Sequence, residues 1–292
     1  MIQKTKYREL LKWIFKISIT FICIYWLSIK IDFVKVSQII ANSNWGYLFV
    51  AILLYIVSKV ISAYRLMNIL KSIKLILPSA YNMKLYWLGM YYNLFLPGSI
   101  GGDGYKVYVL KKDFPEQKVI SIVRALLIDR VNGMLVLMLF TALFSFLVPF
   151  DIPYRFAITS AFILFLLLSI IISHYILMKS TVKIIPSTVL YSLGVQISQF
   201  AAAYLIILAI GIQEKRMEYL FAFMLSSFTS SLPVTVGGIG IREITLLYLT
   251  NVFQYSADHS VTVGLLFFCI IVLVSLAGIY YSYFPPKLIK KM

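Results

Sequence analysis

Leu96-Pro97-Gly98-Ser99-Ile100-Gly101-Gly102-Asp103-Gly104-Tyr105-Lys106 is answered, 136 residues later, by Leu232-Pro233-Val234-Thr235-Val236-Gly237-Gly238-Ile239-Gly240-Ile241-Arg242. Leucine, proline and three glycines keep register, Ile100 matches Val236, and Lys106 matches Arg242. Six of the chain's 14 glycines sit at these matched positions, which background composition does not produce. Each phrase ends an apolar segment, about 80–97 and 218–233, that otherwise reads as a membrane helix. Paired hydrophobic segments interrupted by Gly and Pro, one in each half of a chain, point to a transport site.

The composition around them is that of a membrane protein. Of 292 residues, 61% are hydrophobic and 13% charged, and the mean hydropathy is +0.90, far from a soluble domain. Runs long enough to cross a hydrocarbon core of ~30 Å fall at roughly 13–29, 45–64, 121–148, 155–178, 186–210 and 262–284. They do not alternate apolar and polar residues, which excludes a β-barrel. The basic start, with Lys4, Lys6, Arg8 and Lys12, resembles a signal peptide. No small-residue cleavage site follows Leu27, so it reads as a retained first helix. Cys23 and Cys269 lie inside apolar runs, and His174 and His259 stand apart. No disulfide, metal site or cofactor is expected. The net charge of +16 is assigned to basic cytoplasmic loops rather than to nucleic acid, since no soluble stretch is long enough for a binding domain.

Loop charge decides how the two interrupted segments lie. If both turn back within the membrane, 17 Lys and Arg, among them Arg65, Lys106 and Lys112, fall on cytoplasmic segments, against Lys30, Lys35, Arg155, Lys215 and Arg216 outside. That bias follows the positive-inside rule. A full crossing by segment 80–97 would move the basic stretch 106–118 outside and weaken it. The expected fold is therefore an all-α integral membrane protein, one polytopic domain over 1–292. It has about six full transmembrane helices plus two re-entrant broken-helix hairpins, in an inverted repeat of about 1–148 and about 155–292. Both termini are cytoplasmic, and the two phrases face each other near the midplane.

Pro97 and Pro233 end the first half-helices. Gly101, Gly102, Gly237, Gly238 and Gly240 permit close backbone approach and positive φ. The second half-helices then begin, and a helix start with its unpaired N–H groups is an anion site. With Lys106 and Arg242 in their first turns, two such starts suit a phosphate held inside the membrane. The bland alternative is tight helix crossing with snorkelling cations. Asp103 reads as an N-cap or a site residue. Glu243 reads as a complement to the helix dipole or as a ligand for a coupling cation or proton. Asn93 is placed to satisfy carbonyls freed by the break. Arg124, Asp129 and Arg130 open a long apolar helix and are functional candidates as intramembrane charges. Lys59 reads as snorkelling, and Tyr86, Trp87, Tyr91 and Tyr92 as an interfacial belt.

The set Asn93, Pro97, Gly101, Gly102, Asp103 and Lys106, then Asp129-Arg130, then Pro233, Gly237, Gly238, Gly240, Arg242 and Glu243, resembles the flippase-like membrane region of lysylphosphatidylglycerol synthases and its stand-alone relatives. The resemblance covers nearly the whole chain, and the second phrase carries it best. Lys106 departs from the arginine more usual there. The resemblance implies movement of an anionic lipid across a prokaryotic cytoplasmic membrane. The chain stops at Met292, soon after its last span, so the lysyl-transferring synthase domain is not expected. Stand-alone relatives linked to polyprenyl-phosphate pathways keep a glycolipid carrier open.

Two functions follow. One is a flippase for an anionic phospholipid or polyprenyl-phosphate-linked lipid, with membrane lipids as partners and a homo-oligomer or an envelope-biosynthesis partner left open. Gly-Gly-x-Gly lacks the Gly-Lys-Ser/Thr ending of a P-loop, so the energy source is expected to be a gradient, the lipid's own gradient or a partner. The other is an integral-membrane transferase using a polyprenyl-phosphate donor, with its base among Asp103, Asp129 and Glu243.

Overall fold

The computed structural model describes residues 31–95, 101–149, 153–232 and 240–284, together with positions 25, 29 and 286. Pro97, Pro233, Gly237 and Gly238 fall outside the described residues, as does most of the expected span 13–29. Helix is the only regular structure among the described residues.

The first helix described along its whole length is α1 (Phe33–Ala41), capped by Asp32, whose carboxylate accepts from the amides of Val34 and Lys35. Asn44 then caps α2 (Trp45–Ser72) through the Gly46 amide. At 1.5 Å per residue, the 28 residues of α2 extend about 42 Å, more than a hydrocarbon core requires. The helix therefore runs past the expected boundary at 64, and its last two turns include Arg65 and Lys71. Next come α3 (Ser79–Phe95), α4 (Gly101–Asp113) and α5 (Val119–Phe144). After them come α6 (Arg155–Leu177), α7 (Ile185–Ala209), α8 (Arg216–Ser231) and α9 (Ile241–Phe253), then α10 (Ala257–Leu276) and the short α11 (Gly278–Tyr283).

Among the described residues, five helical stretches are long and apolar enough to cross a membrane: Trp45–Ser72, Val119–Leu147, Arg155–Leu177, Lys179–Ala209 and Ala257–Tyr283. They coincide with five of the six expected spans. Helix α6 is the outermost of them, with Phe156, Ile158, Leu164, Phe165, Leu168 and Ile172 exposed. In water such a face would aggregate; in a bilayer it is solvated by lipid.

Lipid offers no hydrophobic drive for helix association, so small residues and internal polar contacts carry the packing. The most extensive pair, α2 with α7, shows both. Ala51, Ser58, Ala63, Ser192, Ala202 and Ala203 are fully or almost fully buried. Arg65 donates to Ser192 Oγ at 2.9 Å, Asn68 to Ser187 Oγ at 2.7 Å and Gln199 to Ser58 Oγ at 3.4 Å. Rising numbers on one helix meet falling numbers on the other, so the pair is antiparallel.

Neither α3, with 17 residues, nor α8, with 16, is long by the standard of these spans. Each folds back on its successor. Between α3 and α4, the Tyr81 hydroxyl donates to Asp113 Oδ2 at 2.5 Å, the Tyr92 and Tyr105 rings lie 4.1 Å apart, and Asn93 Oδ1 accepts from the Gly102 amide at 2.8 Å. Between α8 and α9, the Phe221 and Phe253 rings lie 6.0 Å apart, Thr229 and Thr245 share a hydroxyl contact of 2.9 Å, and Arg242 donates to Ser230 Oγ at 3.1 Å. Both pairs are antiparallel helical hairpins, and in the sequence each pair is joined through one copy of the repeated phrase.

The hairpins root at opposite ends of the bundle. The first packs its base on Leu66, Ile69 and Leu70 of α2 and Ile122 and Leu126 of α5. The second packs with Leu48 and Ala51 of α2, Phe144 at the end of α5 and Val148 just past it, and Ile206, Ile207 and Ala209 in the last turn of α7. Helix ends on that second side are closed by cations, which favour the negative end of a helix. Lys215 donates to the carbonyls of Phe253 and Gln254, and Arg155 to those of Ser145 and Phe146.

Candidate functional site

Both phrases deliver residues to one cavity of about 350 Å³ between the hairpins. It is lined from α2 by Tyr55, Lys59, Ser62 and Arg65, from α3 by Tyr86, Met90 and Asn93, and from α4 by Asp103 and Lys106. Helix α5 adds Asp129, Arg130 and Gly133, α7 adds Gln196 and Gln199, α8 adds Ser227, Ser230 and Ser231, and α9 adds Arg242. Five cations thus face two carboxylates, for a formal charge of +3 at pH 7.

Lys106 reaches the cavity because α3 has no side chain in its way. A Cβ on Gly89 would collide with Lys106 Cε. The ammonium lies 3.1 Å from Asp103 Oδ1 and 4.5 Å from the Tyr86 ring centre, with the residue only 5% exposed. Gly102 serves the same crossing, since a Cβ there would strike the Gly89 carbonyl oxygen. At Gly102 the close-crossing role is therefore real, and at Gly104 a Cβ meets nothing.

Arg242 is 7% exposed, lies over Phe223 and Phe267, and donates through Nη2 to Ser230 Oγ at 3.1 Å. Its Nη1 is buried with no hydrogen-bond partner among the described residues. A buried donor left unmet costs about 1–3 kcal/mol, so this atom is poised for an acceptor. Glu243, its neighbour, does not line the cavity. Its carboxylate accepts from the Gly240 amide at 2.8 Å and closes the start of α9, where Gly240 holds a φ of +87°. Asn93 Oδ1 likewise accepts from the Gly102 amide; the carbonyls at the break lie outside the described residues. One N–H at each second half-helix is thus already engaged, and the positive lining comes from side chains.

Arg65 and Asp129 form a buried pair, Nε to Oδ1 2.7 Å, with Arg65 Nη1 on Ser192 Oγ at 2.9 Å. Gly133 makes room for it, since a Cβ there would stand 3.0 Å from Nη1. Arg130 joins the hairpins: Nη1 lies 3.4 Å from Asp103 Oδ2, and Nη2 donates to the Ser231 carbonyl at 3.0 Å. Asp103 is therefore held between Lys106 and Arg130 and is not an N-cap.

Several expectations change. Arg65 and Lys106, counted among 17 cytoplasmic cations in the loops, lie in the bundle interior. Lys59 does not snorkel; it sits in mid-helix with its ammonium 4.5 Å from the Tyr55 ring centre and lines the cavity. Arg124 is exposed on the outside of α5 and does not reach the site. Tyr86 lies under the Lys106 ammonium and Tyr92 against Tyr105, so these two rings pack between helices. The signal for Lys59 and Arg65 was present: Tyr55, Lys59, Ser62 and Arg65 step by four, three and three, one polar stripe on an apolar helix.

A family model described as the lysylphosphatidylglycerol synthase TM region matches residues 13–187 and 177–278. No curated protein and no solved structure matches the chain.

Proposed function

The chain belongs to the lysylphosphatidylglycerol synthase TM-region family, and from that premise we propose that this multi-pass membrane protein translocates an anionic lipid, holding its phosphate-bearing headgroup in the cavity between the two hairpins. The observation that carries this reading is the convergence of Lys106 and Arg242, the matched cations of the repeated phrase, on one cavity with a formal charge of +3, both of them buried side chains. So much positive charge away from water is costly unless an anion shares the site.

In this reading the hairpins are re-entrant and inserted from opposite faces, as halves of an inverted repeat. Their tips meet near the midplane, and rocking of one half against the other exposes the cavity to each side in turn. The transferase alternative fares worse, because all three acids it could use as a base are engaged. Asp103 faces Lys106 and Arg130, Asp129 holds Arg65, and Glu243 closes a helix start.

Proteoliposomes with a fluorescent anionic phospholipid test the proposal. Wild-type protein accelerates the lipid's exchange between leaflets, and Lys106→Ala and Arg242→Ala each slow it by at least about tenfold, the loss of one charge-assisted hydrogen bond. Exchange by both variants at the wild-type rate would refute it.

A further inference from the structure

We infer that the hydrocarbon chain of the bound lipid leaves the cationic cavity sideways, through an apolar groove between α2, α3 and α10, so that the protein grips an anionic amphiphile by both head and chain. The inference rests on the translocase reading and adds the site for the chain.

The groove has a volume of about 750 Å³ and is lined by Ile52 and Ile56 of α2, Met83 and Trp87 of α3, Leu273 and Val274 of α10, and by Ala277 and two tyrosines of α11. Its lining carries no charged residue, in contrast to the cavity beside it.

The register of three helices makes the two spaces neighbours. On α2, Ile52 and Ile56 of the groove precede Tyr55 and Lys59 of the cavity by three residues. On α3, Met83 and Trp87 precede Tyr86 and Met90 by three, and on α10 Val274 follows Ile271 by three. Residues three apart on a helix share a side, about 60° round and one turn along. Helices α2 and α3 run in opposite directions, joined by the short connection 73–78, and Asn82 near the start of α3 donates to the Ala63 carbonyl of α2 at 2.7 Å. The steps along their axes therefore oppose each other, and the sideways step remains. The groove lies beside the cavity at the same depth.

A ligand spanning both spaces needs a phosphate at one end and a flexible apolar chain at the other. That is the chemistry of a phospholipid or a polyprenyl phosphate. A soluble phosphate would use the cavity alone.

The test compares two soluble probes on purified protein in detergent: glycerol 3-phosphate, which has the head alone, and dihexanoylphosphatidate, which adds two short chains. We expect the second to bind at least about tenfold more tightly, the worth of two buried methylenes. Ala277→Trp, at an exposed position lining the groove, removes that advantage and leaves glycerol 3-phosphate within about twofold of wild type, since it adds bulk only where the chain lies. Met83→Trp fills the groove from α3 and gives the same result. Equal binding of the two probes by wild type, or an advantage that survives both variants, overturns the groove while the headgroup cavity stands. Failure of both probes to bind wild type overturns the cavity reading and the groove with it.

Discussion

Arg130 and Asp103 form an ion pair of 3.4 Å between α5 and the first hairpin, and the same guanidinium donates to the Ser231 carbonyl of the second. One side chain thus ties both hairpins to a central helix. Arg130→Lys keeps the charge but lacks the planar fork needed to hold two partners. Headgroup affinity is expected to fall by less than about tenfold, while leaflet exchange changes more because the hairpins are no longer held together. Equilibrium binding and exchange rate, measured on the same preparation, separate the two effects.

The Arg65–Asp129 pair gives a stability prediction. Its side chains are 7% and 12% exposed, and removal of one partner from a buried pair costs about 3–5 kcal/mol. Asp129→Leu is therefore expected to lower the thermal transition in detergent sharply. Arg65→Met combined with Asp129→Leu recovers most of the loss, because the pair's desolvation cost disappears with it. A double variant no better than the worse single would contradict this.

Matched glycines differ in what they do. Gly102→Ala forces the α3–α4 crossing apart, at about 1–3 kcal/mol. Gly104→Ala meets nothing and gains up to about 1 kcal/mol from helix propensity. Gly240→Ala, the counterpart of Gly104 in the second phrase, is destabilised by its φ of +87°, at about 1–2 kcal/mol. Melting temperatures of the three variants should therefore fall, rise and fall.

Lys59 and Arg124 test the composition of the cavity. Lys59→Met is expected to weaken headgroup binding about tenfold or more, whereas Arg124→Ala leaves it unchanged, since Arg124 points outward. Titration with glycerol 3-phosphate reads both. The opposite order of effects would place the site elsewhere on α5.

Opposed insertion of the hairpins is tested by labelling. Lys112→Cys and Gln254→Cys are at exposed positions near the bases of the first and second hairpins. An impermeant thiol reagent should reach the first only from the cytoplasmic side and the second only from the other. Labelling of both from one side would rule out the inverted arrangement.

Local chemistry settled much of this protein before any contact was formed. Apolar runs long enough for a bilayer located five of the described helices, because only a helix satisfies its own backbone in lipid. The repeated phrase marked where the two helices of each hairpin are joined, because Gly and Pro interrupt a helix locally. Which charged side chains line the cavity was decided only by the tertiary structure. Lys59 and Arg65 read as boundary charges because the apolar run ends near 64, whereas α2 continues to Ser72 and carries them inward on one polar stripe. Asp129 found its partner 64 residues away, Arg124 turned outward, and Glu243 closed its own helix. On helices that are apolar all round, the sequence carries little record of which side faces inward, so packing against neighbours decides which charges meet.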